Sequence, residues 1–273
     1  MKQALAAITI ILGVLSSLYG ASREEMMKCS MWMMHYHLNP SPEEVPAMLK
    51  EMNRIGLFEP HSRQYPFLGF ASKLFQENPE RAKEWIQATG NFDQASKEVI
   101  YWSLWLSGIG ESKAILAEID FSFPMENYFR FSPEEAPEKI EEMSIFRPGY
   151  LDMNWGQYVA SGNRDAVIRN LRLFEFYEFI DSPKNENERV KGELARVAIW
   201  STQSNCKTIP QFKELLGEIY EQGVLEQPAS SYLGLFLTKV YPEQYYSHTD
   251  SVGKTSIYRK PNESDQAGDD NSK

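Results

Sequence analysis

The stretch SPEEVPAMLKEM, residues 41–52, returns as SPEEAPEKIEEM at residues 132–143, with seven of the twelve positions identical. Each copy opens with a serine that can accept hydrogen bonds at a helix start, and a glutamate follows three residues later, as Glu44 follows Ser41. A proline five residues past the serine, Pro46 in the first copy, removes a backbone bond, so we expect the regular helix to begin only there. The repetition predicts a helical protein built from duplicated units.

Composition and charge narrow the class of protein. The chain has 273 residues, of which 42% are hydrophobic and 13% aromatic, so it is long and apolar enough to bury a core. Its formal net charge of -10 argues against a nucleic-acid partner or an anionic membrane surface, because both attract concentrated positive charge. The acidic residues are spread over helix starts such as Glu43-Glu44, which is typical of a solvated surface.

The N-terminus has the layout of an export signal. One lysine precedes an apolar run, residues 4–19, and the small residues Gly20, Ala21 and Ser22 follow. This order predicts a secretory signal peptide at residues 1–22, cleaved after Ala21 or Ser22. An uncleaved anchor is the alternative, but the run is short for a membrane span and has no polybasic flank. We therefore expect an exported protein, periplasmic or extracellular, with no membrane attachment after processing.

Matching features recur along the chain in the same order. Trp200-Ser201 takes the place of Trp102-Ser103, and the matching helices each carry a glycine. We predict an all-α fold of duplicated helical-hairpin repeats, of an α-solenoid or tetratricopeptide-like kind. The predicted organisation is a helical repeat domain at 23–246, with units at about 36–119 and 128–222 and a partial third unit at 228–246, and then a polar, disordered tail at 247–273.

The recurring glycines are Gly69, Gly156 and Gly234. A glycine inside a helix costs about 1 kcal/mol relative to alanine, so its recurrence needs a structural reason. Close approach of two helix backbones supplies one, since it leaves no room for a side chain. We predict such contacts at all three positions.

Two segments carry a family resemblance. WGQYVASGNRDAVIRNL at residues 155–171 and AIWSTQSNCKTIPQFKELL at residues 198–216, with PFLGF at residues 66–70, resemble segments of a family of uncharacterised exported bacterial proteins. The resemblance covers most of the chain beyond the signal peptide. It implies an exported all-helical protein, and it brings no activity and no catalytic residues.

Residues 26–38 are rich in methionine and aromatic side chains. A copper site is one interpretation, because thioethers suit Cu(I) and His35 and His37 lie beside them. A helix packed into the core, with methionine as adaptable filler, is the other. Residues two apart point in different directions on a helix or a strand, so the two histidines are poorly placed to share an ion. We favour the core interpretation and expect no metal and no cofactor.

Motifs of catalysis are weak. Ser204 and Lys207 fit the S-x-x-K spacing of penicillin-binding enzymes, but the chain has no supporting K-T-G or S-D-N segment in order, which favours a structural helix end. Cys29 and Cys206 are the only cysteines, and either a disulfide or two buried thiols fits them. The sequence therefore favours a protein without catalytic activity.

Aromatic pairs are the candidate binding residues. Trp102 and Trp105 are three residues apart, as are Trp155 and Tyr158, so each pair lies on one helix face. Core packing is one interpretation, and a concave groove that receives a partner is the other. We expect an exported, non-catalytic helical-repeat protein that binds a protein or peptide partner. An exported hydrolase acting on cell-envelope polymers is the alternative.

Overall fold

The structure, a computed structural model, describes residues 22–58, 64–119, 139–147, 149–209 and 211–260. These residues are mostly helical, and their one sheet has two strands, so the predicted all-α class is confirmed. Apart from Ser22, the predicted signal peptide lies outside the described residues. So do residues 132–138 of the duplicated segment and residues 261–273 of the predicted tail.

Eleven α-helices occur in the described residues, joined by turns and short 3-10 helices. In chain order they are α1 (Arg23–His35), α2 (Val45–Arg54), α3 (Tyr65–Glu77), α4 (Ala82–Ala88), α5 (Gln94–Leu106), α6 (Ser112–Glu118), α7 (Tyr150–Ser161), α8 (Arg164–Leu171), α9 (Glu186–Thr208), α10 (Phe212–Glu221) and α11 (Ala229–Val240). The 3-10 helices are Tyr36–Leu38, Pro42–Glu44, Pro79–Arg81, Ile140–Glu142 and Arg172–Phe179. Strands β1 (Tyr245–Thr249) and β2 (Thr255–Arg259) follow α11.

The chain divides into two compact units, Met1–Val167 and Ile168–Lys273. The first unit contains α1 to α7. The second contains the 3-10 helix Arg172–Phe179, α9 to α11 and both strands. The division falls within α8, inside the stretch 128–222 that the repetition assigns to one repeat unit.

The two copies of the duplicated segment differ in structure. In the first, the 3-10 helix Pro42–Glu44 precedes α2, so the regular helix begins late, as the proline predicts. Ser41 does not cap it, because its hydroxyl donates to the carbonyl of Asn39 at 3.3 Å instead. In the second copy, the predicted α-helix is wrong for the described residues, where only Ile140–Glu142 forms a 3-10 turn. Lys139 there replaces the apolar Met48, which weakens the apolar face that a helix would bury.

Two of the recurring glycines lie where α3 and α7 meet inside the first unit. A Cβ on Gly69 would overlap the backbone carbonyl of Met153. A Cβ on Gly156 would overlap the carbonyl oxygen of Pro66 and lie 2.6 Å from the backbone nitrogen of Phe70. The predicted close backbone approach is therefore confirmed for these two glycines, which lie on opposite sides of one helix crossing.

Gly234 is different. A Cβ there would lie 2.9 Å from side-chain atoms of Ile257 and Tyr220, and neither contact is to a backbone. The predicted backbone contact is wrong at this position, because α11 packs against side chains of β2 and α10 rather than against a helix backbone.

Aromatic rings fill the core of the first unit around α3. Phe70 is fully buried and makes edge contacts with Trp32 at 5.4 Å and Tyr36 at 5.5 Å between ring centroids. Phe75 lies 5.5 Å from the buried Trp85 of α4. Such contacts add to the stabilisation from apolar burial.

In the second unit, Phe174 and Phe236 meet at 5.8 Å between ring centroids. The buried face of α9 is made of small residues, and a Cβ on Gly192 would overlap the carbonyl of Phe179. This packing draws α9 against the 3-10 helix Arg172–Phe179 and leaves its other faces exposed.

The predicted disordered tail needs correction at its start. Residues 245–249 and 255–259 pair as an antiparallel hairpin, with Tyr245 opposite Arg259 and Thr249 opposite Thr255. Gly253, with φ of +82°, and the carboxylate of Asp250, which accepts hydrogen bonds from two backbone nitrogens at 3.0 and 2.9 Å, hold the turn. The segment is polar, yet it orders because the turn and one packed face satisfy its backbone and side chains.

Candidate functional site

The four aromatic residues predicted for a groove are buried in the first unit. Trp102 is 6% exposed, Trp105 4%, Trp155 8% and Tyr158 5%. Side chains that are less than a tenth exposed offer a partner little area. The candidate surface is therefore built from exposed residues of the second unit.

The β hairpin is fixed to its unit by its inner face. Tyr245 is 3% exposed, and its hydroxyl donates to a carboxylate oxygen of Glu221 at 2.6 Å. The guanidinium of Arg259, directly opposite on β2, donates to the other carboxylate oxygen at 3.0 Å. Burial, followed by the Glu221 carboxylate, raises the pKa of Tyr245, so its hydroxyl stays a donor. Gly217 leaves room for this hydroxyl. A Cβ at position 217 would lie 2.5 Å from the hydroxyl oxygen.

The outer face of the hairpin carries two exposed tyrosines. Tyr246 is 45% exposed and Tyr258 is 46% exposed. They are direct cross-strand partners, and their rings stack at 5.6 Å between centroids with 27° between planes. Stacking on a paired backbone limits the rotamers of both rings, so the pair forms a preorganised aromatic platform. We call Tyr246 and Tyr258 the tyrosine pair.

The hairpin also has free edges. Backbone bonds join Lys260 to Gln244 at 2.7 Å and Asp250 to Lys254 at 3.0 Å. Because hydrogen-bonded pairs alternate in an antiparallel ladder, Ser247 and its neighbours at every second position direct their N–H and C=O groups away from the partner strand. Among the described residues, no third strand pairs with either edge. The N–H of Tyr245 already donates to the carbonyl of Tyr241 at 3.0 Å, so an extended peptide along this edge would pair with the groups of Ser247.

The sequence contains a signal for this site that the composition of the tail obscures. YYSHT and TSIYR are short runs of tyrosine, threonine and isoleucine on either side of DSVGK, which carries Asp and Gly as turn residues. That pattern is typical of a hairpin. The surrounding polar and charged residues favour disorder when composition alone is considered.

A second tyrosine stack lies on helices of the same unit. Tyr177 and Tyr232 stack at 4.4 Å between ring centroids with 28° between planes, and Tyr177 is 40% exposed. This second stack lies beside no free strand edge, so Tyr177 is a matched control for binding at the tyrosine pair.

An open, polar depression of about 320 Å³ lies where α9 ends and α10 begins. Cys206 lines it, and burial raises the pKa of this thiol to about 12. A thiol with that pKa stays protonated near neutral pH and is a poor nucleophile. Ser204 and Lys207 lie in the last turns of α9, as the structural interpretation of the S-x-x-K spacing predicts. The thiol of Cys206 is therefore not an activated nucleophile in this depression.

Both cysteines are free thiols. Burial also raises the pKa of Cys29, on α1, to about 11. Of the two alternatives that the sequence leaves open, the structure has the unpaired thiols.

The methionine-rich segment is a helix, but the core interpretation holds for only part of it. Met26 and Cys29 are buried, whereas Met27 is 43% exposed and Met31 is 44% exposed. The segment 26–35 therefore has a buried side and a thioether-rich side that faces solvent. His37 lies apart, with its ring 5.3 Å from Tyr158.

Two further features would indicate other functions. One is a metal-binding cluster of His, Cys, Asp and Glu side chains, and the other is a membrane-spanning helix. Across the described ranges, no group of three or more such side chains could hold a metal ion. None of the described helices is long and apolar enough to cross a membrane. No protein-family model, curated protein or solved structure matches the chain. The functional argument therefore rests on the residues described above.

Proposed function

We propose that the protein is an exported, non-catalytic helical protein whose C-terminal unit binds a protein or peptide partner through the β hairpin. The observation that carries the proposal is the tyrosine pair, two exposed rings stacked on a hydrogen-bonded hairpin. We propose further that the helices form repeats and serve as the scaffold that holds the hairpin.

Rigid, exposed aromatic side chains favour binding for a physical reason. Tyrosine offers a large contact area and loses little conformational entropy, and tyrosines are enriched among the residues that dominate binding energy. In Tyr246 and Tyr258 part of that entropy is lost before a partner arrives, because the rings already stack.

The free strand edges favour an extended partner segment. Such a segment would add a third strand and form backbone hydrogen bonds that do not depend on its sequence. Side chains of the segment on the outer face would then contact the tyrosine pair and provide selectivity. A two-stranded hairpin gains stability from a third strand, so binding and ordering would reinforce each other.

The experiment uses a photoreactive side chain in place of Tyr258 in the producing cell, with Tyr177 replaced in a parallel strain. We expect a partner to crosslink from position 258 and not from position 177. The captured partner is then purified, and its dissociation constant is measured by calorimetry for the wild-type chain and for Tyr246→Thr and Tyr258→Thr. Threonine keeps strand propensity, so we expect binding at least tenfold weaker with the circular dichroism spectrum unchanged.

A Tyr177→Thr variant is the matched control, and its affinity for the partner should equal that of the wild type. Ser247→Pro separates face binding from edge binding, because it removes one outward N–H and spares the hairpin ladder. Equal crosslinking from both positions, or equal affinity of the Tyr258→Thr and Tyr177→Thr variants, would exclude the hairpin as the binding surface.

A further inference from the structure

We propose that α1 carries a Cu(I) site made by the thioethers of Met31 and Met34 and the imidazole of His35. The starting observation is the exposed side of the methionine-rich helix, where Met27 is 43% and Met31 is 44% exposed. Single apolar side chains are ordinary on a protein surface, but Met27 and Met31 lie one turn apart, so two thioethers face solvent side by side on one helix face. Thioether sulfur is a soft metal ligand as well as an apolar group.

The three ligands occupy positions i, i+3 and i+4 of one helix. Side chains at these spacings lie on one face, with Cβ atoms roughly 5 to 6 Å apart. Helical side chains lean toward the N-terminus, so Met34 and His35 lean toward Met31. Methionine has three rotatable side-chain bonds, which allows both sulfurs to reach one ion. His37, which the sequence pairs with His35, lies on the following 3-10 helix and is not part of the set.

The His35 ring is already oriented for this role. Its Nδ1 lies 2.9 Å from the carbonyl oxygen of Met31, and that carbonyl can only accept. Nδ1 therefore carries the hydrogen, and the lone pair of Nε2 is left for a ligand. Donation of the second ring N–H to a backbone carbonyl is the arrangement that orients metal-bound histidines in proteins.

The donor set selects the class of metal. Two thioethers and one neutral imidazole are soft to borderline donors, which favour Cu(I) over the oxygen-preferring ions Mg²⁺ and Ca²⁺. Zinc sites use thiolate, imidazole and carboxylate, and thioether is not among their usual ligands. The exposed charges of Glu24 and Lys28, one to two turns before Met31, have opposite sign and do not attract a particular ion. Met27, one turn before Met31, supplies a further thioether.

The test titrates the purified protein with Cu(I) under anaerobic conditions against bicinchoninate, a competing Cu(I) chelator. We expect one Cu(I) per chain for the wild type and at least a tenfold loss of affinity in Met31→Leu, Met34→Leu and His35→Gln. Met33→Leu is the matched control, because Met33 lies on the other side of α1 and should leave the affinity unchanged. Leucine preserves volume and helix propensity, and circular dichroism confirms that the helix content is retained.

Thiols also bind Cu(I), so Cys29→Ser and Cys206→Ser are titrated beside these variants. Copper binding that is lost in either serine variant and retained in Met31→Leu would overturn the proposal. So would a wild-type chain that does not compete with the chelator. In a second measurement, Ag(I), a redox-stable substitute, is added to protein with labelled methionine methyl groups. The NMR signals of Met31 and Met34 should shift while that of Met33 stays in place.

Discussion

Asp152, on α7, is a carboxylate in a mostly buried position. Burial raises its pKa from 3.8 to about 6. Because the folded state holds the proton more tightly than the unfolded chain, the residue favours folding below pH 3.8. That contribution is lost as the pH rises through about 6. Near neutral pH the ionised carboxylate therefore destabilises the first unit.

We expect Asp152→Asn to raise the free energy of unfolding by about 1 to 3 kcal/mol at pH 7.5, the upper value following from 1.36 kcal/mol per pKa unit and the lower from partial solvent access. The same substitution should have little effect below about pH 4. Urea unfolding at both pH values measures the difference. Asp181→Asn, at an exposed loop position, is the control. A stability gain over the wild type that is no larger at pH 7.5 than at pH 4 would contradict this account.

His37 gives folding stability the opposite pH dependence. Burial lowers its pKa from 6.5, partly offset by a ring N–H that donates to the carbonyl of Val159. Its Nδ1 is buried without a hydrogen-bond partner, so a proton added there would find no acceptor. The folded state therefore binds this proton less well than the unfolded chain, and stability falls as the pH drops below about 6.5.

A His37→Gln variant should lose part of the decline in unfolding free energy between pH 7 and pH 5. Loss of ring packing lowers its stability by a similar amount at every pH, so the slope and not the absolute value is the readout. An NMR titration of the wild-type ring gives the pKa directly. A midpoint at or above 6.5, or an unchanged slope in the variant, would show that burial of His37 is not coupled to protonation.

The crossing of α3 and α7 is the element on which the first unit depends. Gly69 and Gly156 place two backbones in direct contact, and a methyl group at either position would overlap backbone atoms that cannot rotate away. We expect Gly69→Ala and Gly156→Ala each to destabilise the protein by at least about 1 to 3 kcal/mol, the usual range for an overpacked core.

Two other glycines give the comparison by thermal unfolding. Gly110→Ala meets nothing within 4 Å and should be neutral or slightly stabilising. Gly234→Ala meets only side-chain atoms of Ile257 and Tyr220, so its effect should lie between these cases. Equal midpoints for the Gly69→Ala and Gly110→Ala variants would contradict the close crossing.

At the scale of the whole molecule, local signals predict the helices well. The late start of α2 follows from the proline within its first turn, although Ser41 does not cap the helix. The need for glycine at Gly69 and Gly156 follows from the cost of glycine in a helix. These inferences succeed because each depends on local chemistry or on glycine, which few structural roles require inside a helix.

Features that depend on tertiary packing are harder to predict. Pairing of Trp102 with Trp105 on one helix face does not tell which face is buried, and the structure buries both. The exposed side of α1 escapes prediction for the same reason, since methionine alone fits a core or a surface. The hairpin has a local signal, but its docking on the second unit cannot be predicted, because the contacts of Tyr245 and Arg259 with Glu221 join positions distant in sequence.

The proposed export makes a prediction at the junction between residues 1–21 and the first described helix. Ser22 is the N-cap of α1, where the Glu25 nitrogen donates to its hydroxyl at 3.2 Å and its own nitrogen donates to the Glu25 carboxylate at 2.7 Å. Cleavage after Ser22 would remove this capping box, and loss of an N-cap costs about 1 kcal/mol. Cleavage after Ala21 would retain it.

We therefore expect the mature chain to begin at Ser22 and not at Arg23. The full-length chain is produced in a bacterial host, and intact mass and N-terminal sequencing are measured on the exported fraction. A Ser22→Ala variant tests the cap separately, because it should unfold at a lower temperature while the cleavage position stays the same. Recovery of the unprocessed chain in the membrane fraction would support the uncleaved anchor instead. A mature chain that begins at Arg23 would show that the capping box does not survive processing.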